Sequence, residues 1–114
     1  MTSISTHVLD TSRGAPAAGI RATLYQLQTG SSDRTELKRA TTNADGRIGD
    51  FYSAELSEAT VFCLVFDTEE YFARTKTATF YPKVEIFFRV AASEKHYHVP
   101  LLLAPFGYST YRGS

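Results

Sequence analysis

Residues 96–103 read HYHVPLLL, and this stretch carries the pattern that decides the fold. Side chains alternate across a β-strand, so residues two apart share a face. One face of this strand is apolar and consists of Tyr97, Val99, Leu101 and Leu103. His96 and His98 lie on the opposite face. The stretch is therefore predicted to be a strand that packs on a core with one side and points two histidines away from it.

Pro100 interrupts the same strand. Proline has no N–H to donate to a neighbouring strand, and it is found mainly at sheet edges or bulges. We therefore expect the strand to be locally unpaired, or peripheral in its sheet, at this residue.

The period-two pattern recurs in short runs that turn residues separate, which is typical of an antiparallel β protein. The predicted strands cover residues 6–10, 20–27, 36–42, 47–51, 59–66, 83–90, 96–103 and 107–112, with turns at 29–33, 43–46 and 92–95. One short helix is predicted over 68–76, because Asp67 or Thr68 can cap it and Glu69 and Glu70 favour its start. The pattern indicates an all-β sandwich of two sheets, in one domain over residues 1–114.

Composition excludes several classes of function. The chain has 114 residues with 12 basic and 12 acidic side chains, so its formal net charge is zero, whereas a protein that binds nucleic acid or an anionic membrane shows a basic excess. No apolar run approaches the roughly 20 residues of a membrane span, and the first residues lack the features of a signal peptide. We expect a cytoplasmic protein that binds neither nucleic acid nor membrane. The single cysteine, Cys63, lies in an apolar run and is expected to be buried and inert.

The histidines are the side chains best suited to acid–base chemistry near neutral pH. His98 is predicted to point outward, and His7 shares a face with Ser5 and Leu9 of the first strand. The residues alone leave other interpretations open: solvated histidines, histidines bonded to backbone, or a zinc site made by the His-x-His pair and the distant histidine. No cluster of carboxylates or cysteines stands near to complete such a zinc site.

Two arginines are candidates for binding an anion. Arg47 follows the Asp45-Gly46 turn, where it is either simply solvated or able to hold a planar anionic substrate or a developing oxyanion with paired donors. Arg112 has the same two interpretations. A serine nucleophile is not indicated, because the G-x-S-x-G motif is absent and Ser109 lies in GYST.

Three blocks, in order along the chain, resemble the 5-hydroxyisourate hydrolases, the transthyretin-related enzymes of urate degradation. They are HVLDTSRGAPAAGI at 7–20, TTNADGR at 41–47 and HYHVPLLLAPFGYSTYRGS at 96–114. The terminal YRGS is the most specific signature and separates these enzymes from the hormone carrier transthyretin. The other residues that match the family are His7, Arg47 and His98. Ala104 departs from the serine more common in the family, at a strand end away from the chemistry.

The resemblance implies a fold and an assembly. The fold is a transthyretin-like sandwich of two four-stranded antiparallel sheets with one short helix. The assembly is a homotetramer, built as a dimer of dimers, with active sites in a channel between the dimers. The polar residues at the end of the chain are then expected to line a subunit interface.

The resemblance also implies a reaction, the hydrolysis of a ring amide of 5-hydroxyisourate to 2-oxo-4-hydroxy-4-carboxy-5-ureidoimidazoline (OHCU), without cofactor or metal. His7 and His98 would activate water, with His98 the preferred base. Arg47 would hold substrate oxygens and take up developing negative charge. Tyr111 would wall the pocket. Ser114, through its hydroxyl or terminal carboxylate, would bind substrate or orient a histidine.

Strand alternation places Tyr111 and Ser114 on opposite faces of an extended tail. Either the tail bends, or tails from different subunits build one site. The competing interpretation of the chain is a transthyretin-like small-molecule binding protein without catalysis, and a weaker one is a zinc hydrolase that uses the three histidines. A carrier needs no base, so His7, His98 and Tyr111 favour the enzyme.

Overall fold

The computed structural model describes residues 1–92 and 95–114. The elements in chain order are β1 (Thr2–Asp10), β2 (Ala15–Pro16), β3 (Arg21–Leu27), β4 (Arg34–Thr41), β5 (Arg47–Ala54), β6 (Thr60–Phe66), α1 (Thr68–Ala73), β7 (Val84–Val90), β8 (His96–Ala104) and β9 (Gly107–Thr110). The predicted all-β sandwich with one short helix is confirmed. The predicted turn at 92–95 includes Ser93 and Glu94, which lie outside the described residues.

The first sheet runs β2-β1-β8-β9, and β5 also pairs with β1. The second sheet runs β4-β3-β6-β7 and is antiparallel throughout. The structure corrects one detail of the expected sheets, because β1 and β8 pair in parallel. Parallel neighbours need a long connection, and here most of the chain lies between them. The two-residue strand β2 adds a fifth strand to the four that were expected in this sheet.

Several boundaries differ from those predicted. Strand β1 begins at Thr2 and not at residue 6, since its first residues already pair with β5 and β8. Helix α1 ends at Ala73 rather than 76, and Lys76 has a positive φ of 54° that ends any helical path. Its expected side-chain cap is absent: Asp67 precedes the helix without capping it, and the Thr68 hydroxyl donates to the Tyr81 carbonyl instead. No helix in the described part of the chain is long and apolar enough to cross a membrane.

Pro100 lies in an interior strand, so of the two expected alternatives local unpairing applies and a peripheral position does not. β8 pairs with β1 on one side and with β9 on the other. The expected local interruption is present, since β8 pairs with the tail at Leu101–Thr110 and again only at His98–Gly113. The Pro100 carbonyl accepts a hydrogen bond of 2.6 Å from the Thr110 hydroxyl. The strand pairing between β8 and the tail is therefore interrupted between these two pairs.

The core lies between the sheets and takes apolar side chains from both. Its largest fully buried members include Ile4, Ile20, Leu24, Phe51, Phe62, Leu64, Phe66, Leu101 and Leu103. Fully burying one such side chain stabilises a fold by about 1.5–3 kcal/mol. Cys63 is buried as expected, and this burial is the main cause that raises the pKa of its thiol to about 11. The thiol therefore stays protonated and unreactive near neutral pH.

A buried carboxylate joins the helix to the first sheet. Asp10, at the end of β1, is only 1% exposed and accepts a 2.8 Å hydrogen bond from the Tyr71 hydroxyl of α1. Its other oxygen accepts from the Ser12 backbone N–H and hydroxyl. Burial, followed by the hydrogen bond to Asp10, raises the pKa of Tyr71. This network fixes the end of the strand that carries His7.

We predict that Tyr71→Phe lowers the free energy of unfolding by about 1–3 kcal/mol, because it leaves a buried carboxylate oxygen without its donor. Urea denaturation followed by circular dichroism measures the change. Tyr108→Phe is the matched control, since the Tyr108 ring packs on Tyr81 at an exposed site. Equal losses in the two variants would contradict the proposed role of Asp10.

Candidate active site

The outward face of the first sheet brings together side chains from β1, β5 and β8. His7 pairs in register with Arg47 of β5 on one side and with Pro100 of β8 on the other. Ser5 is the register partner of His98. The opposite face of β8, which begins with Tyr97, is buried in the core. The predicted division between a core face and a histidine face is confirmed.

The turn at residues 43–46 positions Arg47 on this face. Asn43 Oδ1 accepts hydrogen bonds from the backbone N–H groups of Asp45 and Arg47, at 2.9 and 3.0 Å. Gly46 has a φ of 75°, and a Cβ there would clash with the Val8 carbonyl oxygen. The Val8 N–H in turn donates to the Gly46 carbonyl at 2.7 Å. Only glycine lets the turn approach β1 this closely, so the Asp-Gly signal in the sequence also sets the position of Arg47.

His7 is held by the same turn. Its Nε2 lies 3.0 Å from the Asp45 carbonyl oxygen. A carbonyl only accepts, so Nε2 carries the proton and the neutral ring has its lone pair on Nδ1. The rings of His7 and His98 lie with their centroids 6.5 Å apart. The two histidines therefore face a common region without bonding to each other.

His98 is partly buried under the C-terminal tail. Its Nδ1 lies 2.7 Å from the Ser5 hydroxyl oxygen, and its carbonyl accepts from the Gly113 N–H at 2.8 Å. A Cβ at Gly113 would clash with the His98 ring. The glycine of the terminal YRGS thus allows the tail to lie directly over the histidine.

A cavity of about 230 Å³ opens at this point. It is lined by Ser5, Thr6, Arg47, Gly49, His96, His98 and Ser114. Three predicted site residues, Arg47, His98 and Ser114, therefore meet in one place, and His7 lies beside them. Sequence reasoning assigned no role to Ser5 and considered His96 only as a ligand of the alternative zinc site, although the alternation that placed His98 outward places both of them on the same face.

Tyr111 does not join this cavity within one subunit. It lines a larger space of about 440 Å³ with Phe87, Phe88 and Arg112, among others. The Arg112 guanidinium lies over the Tyr97 ring, 4.4 Å from its centroid. This larger space is mostly apolar, and no histidine is among the described residues that line it. The expected divergence of Tyr111 and Ser114 is what the subunit shows.

Charge around His98 favours its neutral form. Burial, then the positive charge of Arg47, and then His7 and His96 lower the pKa of His98 below its ordinary value. A histidine with a lowered pKa is deprotonated at neutral pH and can accept a proton. The described residues form no group of three or more histidines, cysteines or carboxylates able to hold a metal ion, so the three-histidine zinc site has no geometric support.

We predict that the pKa of His98 lies below the ordinary value for histidine and that Arg47→Gln raises it toward that ordinary value, because the variant removes a nearby positive charge. NMR titration of the His98 ring protons measures both values. Arg39→Gln is the control, since Arg39 is exposed on β4 and pairs with Glu36. A His98 pKa that does not change in Arg47→Gln would show that the guanidinium does not act on this ring.

Comparisons with known proteins find relatives over nearly the whole chain. The HIUase/Transthyretin family model matches residues 4–113. The mouse protein named 5-hydroxyisourate hydrolase is 40% identical over 111 residues, which cover 97% of this chain and 94% of the mouse protein. The solved structure of Klebsiella pneumoniae 5-hydroxyisourate hydrolase is 40% identical, with a TM-score of 0.84 and 100% of both chains covered. Sea bream transthyretin, solved with thyroxine, is 26% identical, with a TM-score of 0.89 over 97% of this chain and 94% of that one. The chain belongs to the HIUase/Transthyretin family.

Proposed function

We propose that this protein hydrolyses 5-hydroxyisourate to OHCU. The observation that carries the proposal is the pairing of a base with an anion-binding group: His98, with its lowered pKa, shares one cavity with Arg47. The mouse and Klebsiella relatives, named for this activity, are 40% identical, whereas sea bream transthyretin is 26% identical. Fold alone does not separate hydrolase from carrier, since both structures superpose closely.

Hydrolysis of a ring amide needs a nucleophilic water, a stabilised oxyanion and a protonated leaving nitrogen. His98 supplies the base. Its Nδ1 is bonded to Ser5, and its Nε2 has no hydrogen-bond partner among the described residues. Nε2 is therefore free to take a proton from water.

Arg47 supplies the positive charge. It is exposed, and its guanidinium makes no hydrogen bond or ion pair within the described part of the chain. Its backbone N–H donates to Asn43, so the backbone of Arg47 is held in place while the guanidinium can contact a substrate. Paired N–H donors can hold the oxygen on which negative charge develops.

His7 and Ser114 complete the site. The Nε2 of His7 is bonded to Asp45, so Nδ1 is the atom that can exchange a proton with the substrate. Ser114 lines the cavity beside His98, where its hydroxyl or its terminal carboxylate can hold a polar edge of the substrate. Neither role calls for a cofactor or a metal. A cytoplasmic location stays a prediction.

We also propose that the protein is a homotetramer, a dimer of dimers. β7 and β9 are the last strands of their sheets, and within the described residues each pairs on one side only. Phe87 and Tyr111, both more than half exposed, lie around the apolar cavity between these strands. A second copy would cover them, and a tail from another subunit could bring Tyr111 to the site. A sedimentation-equilibrium mass of four chains is expected, and a monomer at micromolar concentration would contradict the assembly.

The activity is tested by the ultraviolet decay of 5-hydroxyisourate, generated freshly from urate by urate oxidase. The protein should accelerate this decay well above the spontaneous rate, and a strong chelator should not change the result. His98→Ala should lower turnover by about 10²–10⁴-fold, the usual contribution of a general base, and His7→Ala should lower it in the same direction. Arg47→Ala should lower kcat/KM, with Arg39→Ala as a control on the far sheet.

The outcomes separate the two functions that this fold can carry. Near wild-type activity in both histidine variants would contradict the assignment of these histidines to water activation. No acceleration by the folded wild-type protein would favour a transthyretin-like small-molecule binding protein without catalysis, which the superposition on sea bream transthyretin also fits. Loss of activity with chelator that zinc restores would favour the metal interpretation.

A further inference from the structure

A continuous line of side-chain contacts runs from His98 to the protein surface. His98 Nδ1 lies 2.7 Å from Ser5 Oγ, and Ser5 Oγ lies 3.1 Å from His96 Nε2. His96 Nδ1 then lies 2.6 Å from Ser3 Oγ, which lies 3.4 Å from the Lys95 carbonyl oxygen. Each ring and each hydroxyl in the line therefore contacts the next. None of the proposed catalytic roles uses Ser3, Ser5 or His96.

The parallel pairing of β1 with β8 produces this line. Ser3 pairs in register with His96, and Ser5 pairs with His98. Residues two apart share a face, so the two serines and two histidines interleave on the outer side of the sheet. Ser5 is only 6% exposed, which shields the central link from water, while His96 is exposed.

The Lys95 carbonyl at the end of the line sets the direction in which the hydrogen bonds are donated, because a carbonyl oxygen only accepts. The Ser3 hydroxyl donates to Lys95, so Ser3 Oγ accepts from the Nδ1–H of His96. His96 Nε2 then has a lone pair and accepts from the Ser5 hydroxyl. Ser5 Oγ in turn accepts from the Nδ1–H of His98. The result is a neutral His98 whose Nε2 has no proton.

The reverse direction forms one hydrogen bond fewer. If the Ser3 hydroxyl donates to His96 Nδ1, its contact with the Lys95 carbonyl has no proton. The same reversal places a proton on His98 Nε2, and that ring cannot then act as a base through this atom. The Lys95 carbonyl already accepts the Ser3 N–H at 2.9 Å and has a second lone pair for the hydroxyl.

We propose that Ser5, His96 and Ser3 are positioning residues that hold His98 in the tautomer with a bare Nε2, and that the line passes the proton gained by His98 on to His96. The inference rests on the proposed hydrolysis for its catalytic meaning. The tautomer itself is a property of the resting protein.

The transfer of a proton from His98 to His96 consists of two linked shifts, one from His98 to Ser5 and one from Ser5 to His96. When His98 Nε2 takes a proton from water, the Nδ1–H bond of His98 breaks as an O–H bond forms on Ser5. The original Ser5 O–H bond breaks as an N–H bond forms on His96 Nε2. The positive charge thus moves from His98 to His96, and Ser5 regains a neutral hydroxyl.

The surroundings of the two rings favour this direction. His98 is partly buried and faces Arg47 of β5, His7 of β1 and His96 of its own strand, with Ser114 of the tail at the cavity wall. Burial first, and then the positive charge that these three basic groups carry or can carry, lowers the pKa of His98. His96 is exposed, so water stabilises the charge there and can take the proton.

The test compares Ser5→Ala, Ser5→Thr and Ser53→Ala in ¹⁵N-labelled protein. Long-range ¹H–¹⁵N spectra at a pH where His98 is neutral identify which ring nitrogen carries the proton. The wild-type protein and Ser5→Thr should show a protonated Nδ1 and a bare Nε2, and Ser5→Ala should lose this preference. Ser53 is an exposed serine opposite Ser3 on β5, and its hydroxyl makes no hydrogen bond among the described residues, so Ser53→Ala should match the wild type.

Kinetics give the second readout. Ser5→Ala should lower kcat by about 10-fold with little change in KM, less than the about 10²–10⁴-fold expected when a base is removed. Its kcat–pH profile should also change, while Ser5→Thr restores both. Thermal denaturation checks that each variant is folded, and Ser5→Thr keeps the test valid if Ser5→Ala is not.

The outcomes distinguish this inference from the proposed function. A protonated Nε2 on His98 in the wild-type protein would overturn the inference, and so would unchanged tautomer and kcat in folded Ser5→Ala, even if hydrolysis is confirmed. The expected tautomer in a wild-type protein that does not hydrolyse 5-hydroxyisourate would support the positioning line and refute the proposed function.

Discussion

The parallel pairing of β1 with β8 is the constraint on which the rest of the structure depends. It joins the two ends of the chain in the interior of one sheet and places Ser5 beside His98 and His7 beside Pro100. A slip of one residue would turn every side chain of a strand to the other face. It would bury the histidines and expose Tyr97 together with Leu101 and Leu103, which now lie in the core. The hydrophobic free energy that such an exchange would lose keeps β1 and β8 in the observed register.

Stability and chemistry lie on opposite faces of the same strands. Leu101 and Leu103 of β8 are fully buried between the sheets, while His96 and His98 of the same strand face outward. The same fold occurs in Klebsiella pneumoniae 5-hydroxyisourate hydrolase and in sea bream transthyretin, with TM-scores of 0.84 and 0.89 against this chain. Function must be argued from the outer face, where His98 and Arg47 share a cavity.

Two glycines bring the outer groups close together. Gly46 lets the turn before β5 approach β1, and Gly113 lets the tail lie over His98. The first approach fixes both Arg47 and the tautomer of His7, and the second brings Ser114 to the cavity. Glycine is required at each place because any side chain would enter space that another group already fills. The site is thus built by backbone proximity as much as by reactive side chains.

Alternation and motifs were enough to predict the class of fold, most of the strands, the outward face of His96 and His98 and the resemblance to a family. Period-two alternation is a local property, so it can be read without knowing which strands become neighbours. Only the tertiary structure decided that β1 and β8 pair in parallel, that Ser5 touches His98 and that Tyr111 lies in a separate cavity. These facts depend on contacts between residues far apart in the chain, and alternation fixes a face but not a partner. The end of α1 at Ala73 was likewise set by the chain around it, because local helix signals carry no information about where the tertiary path must turn.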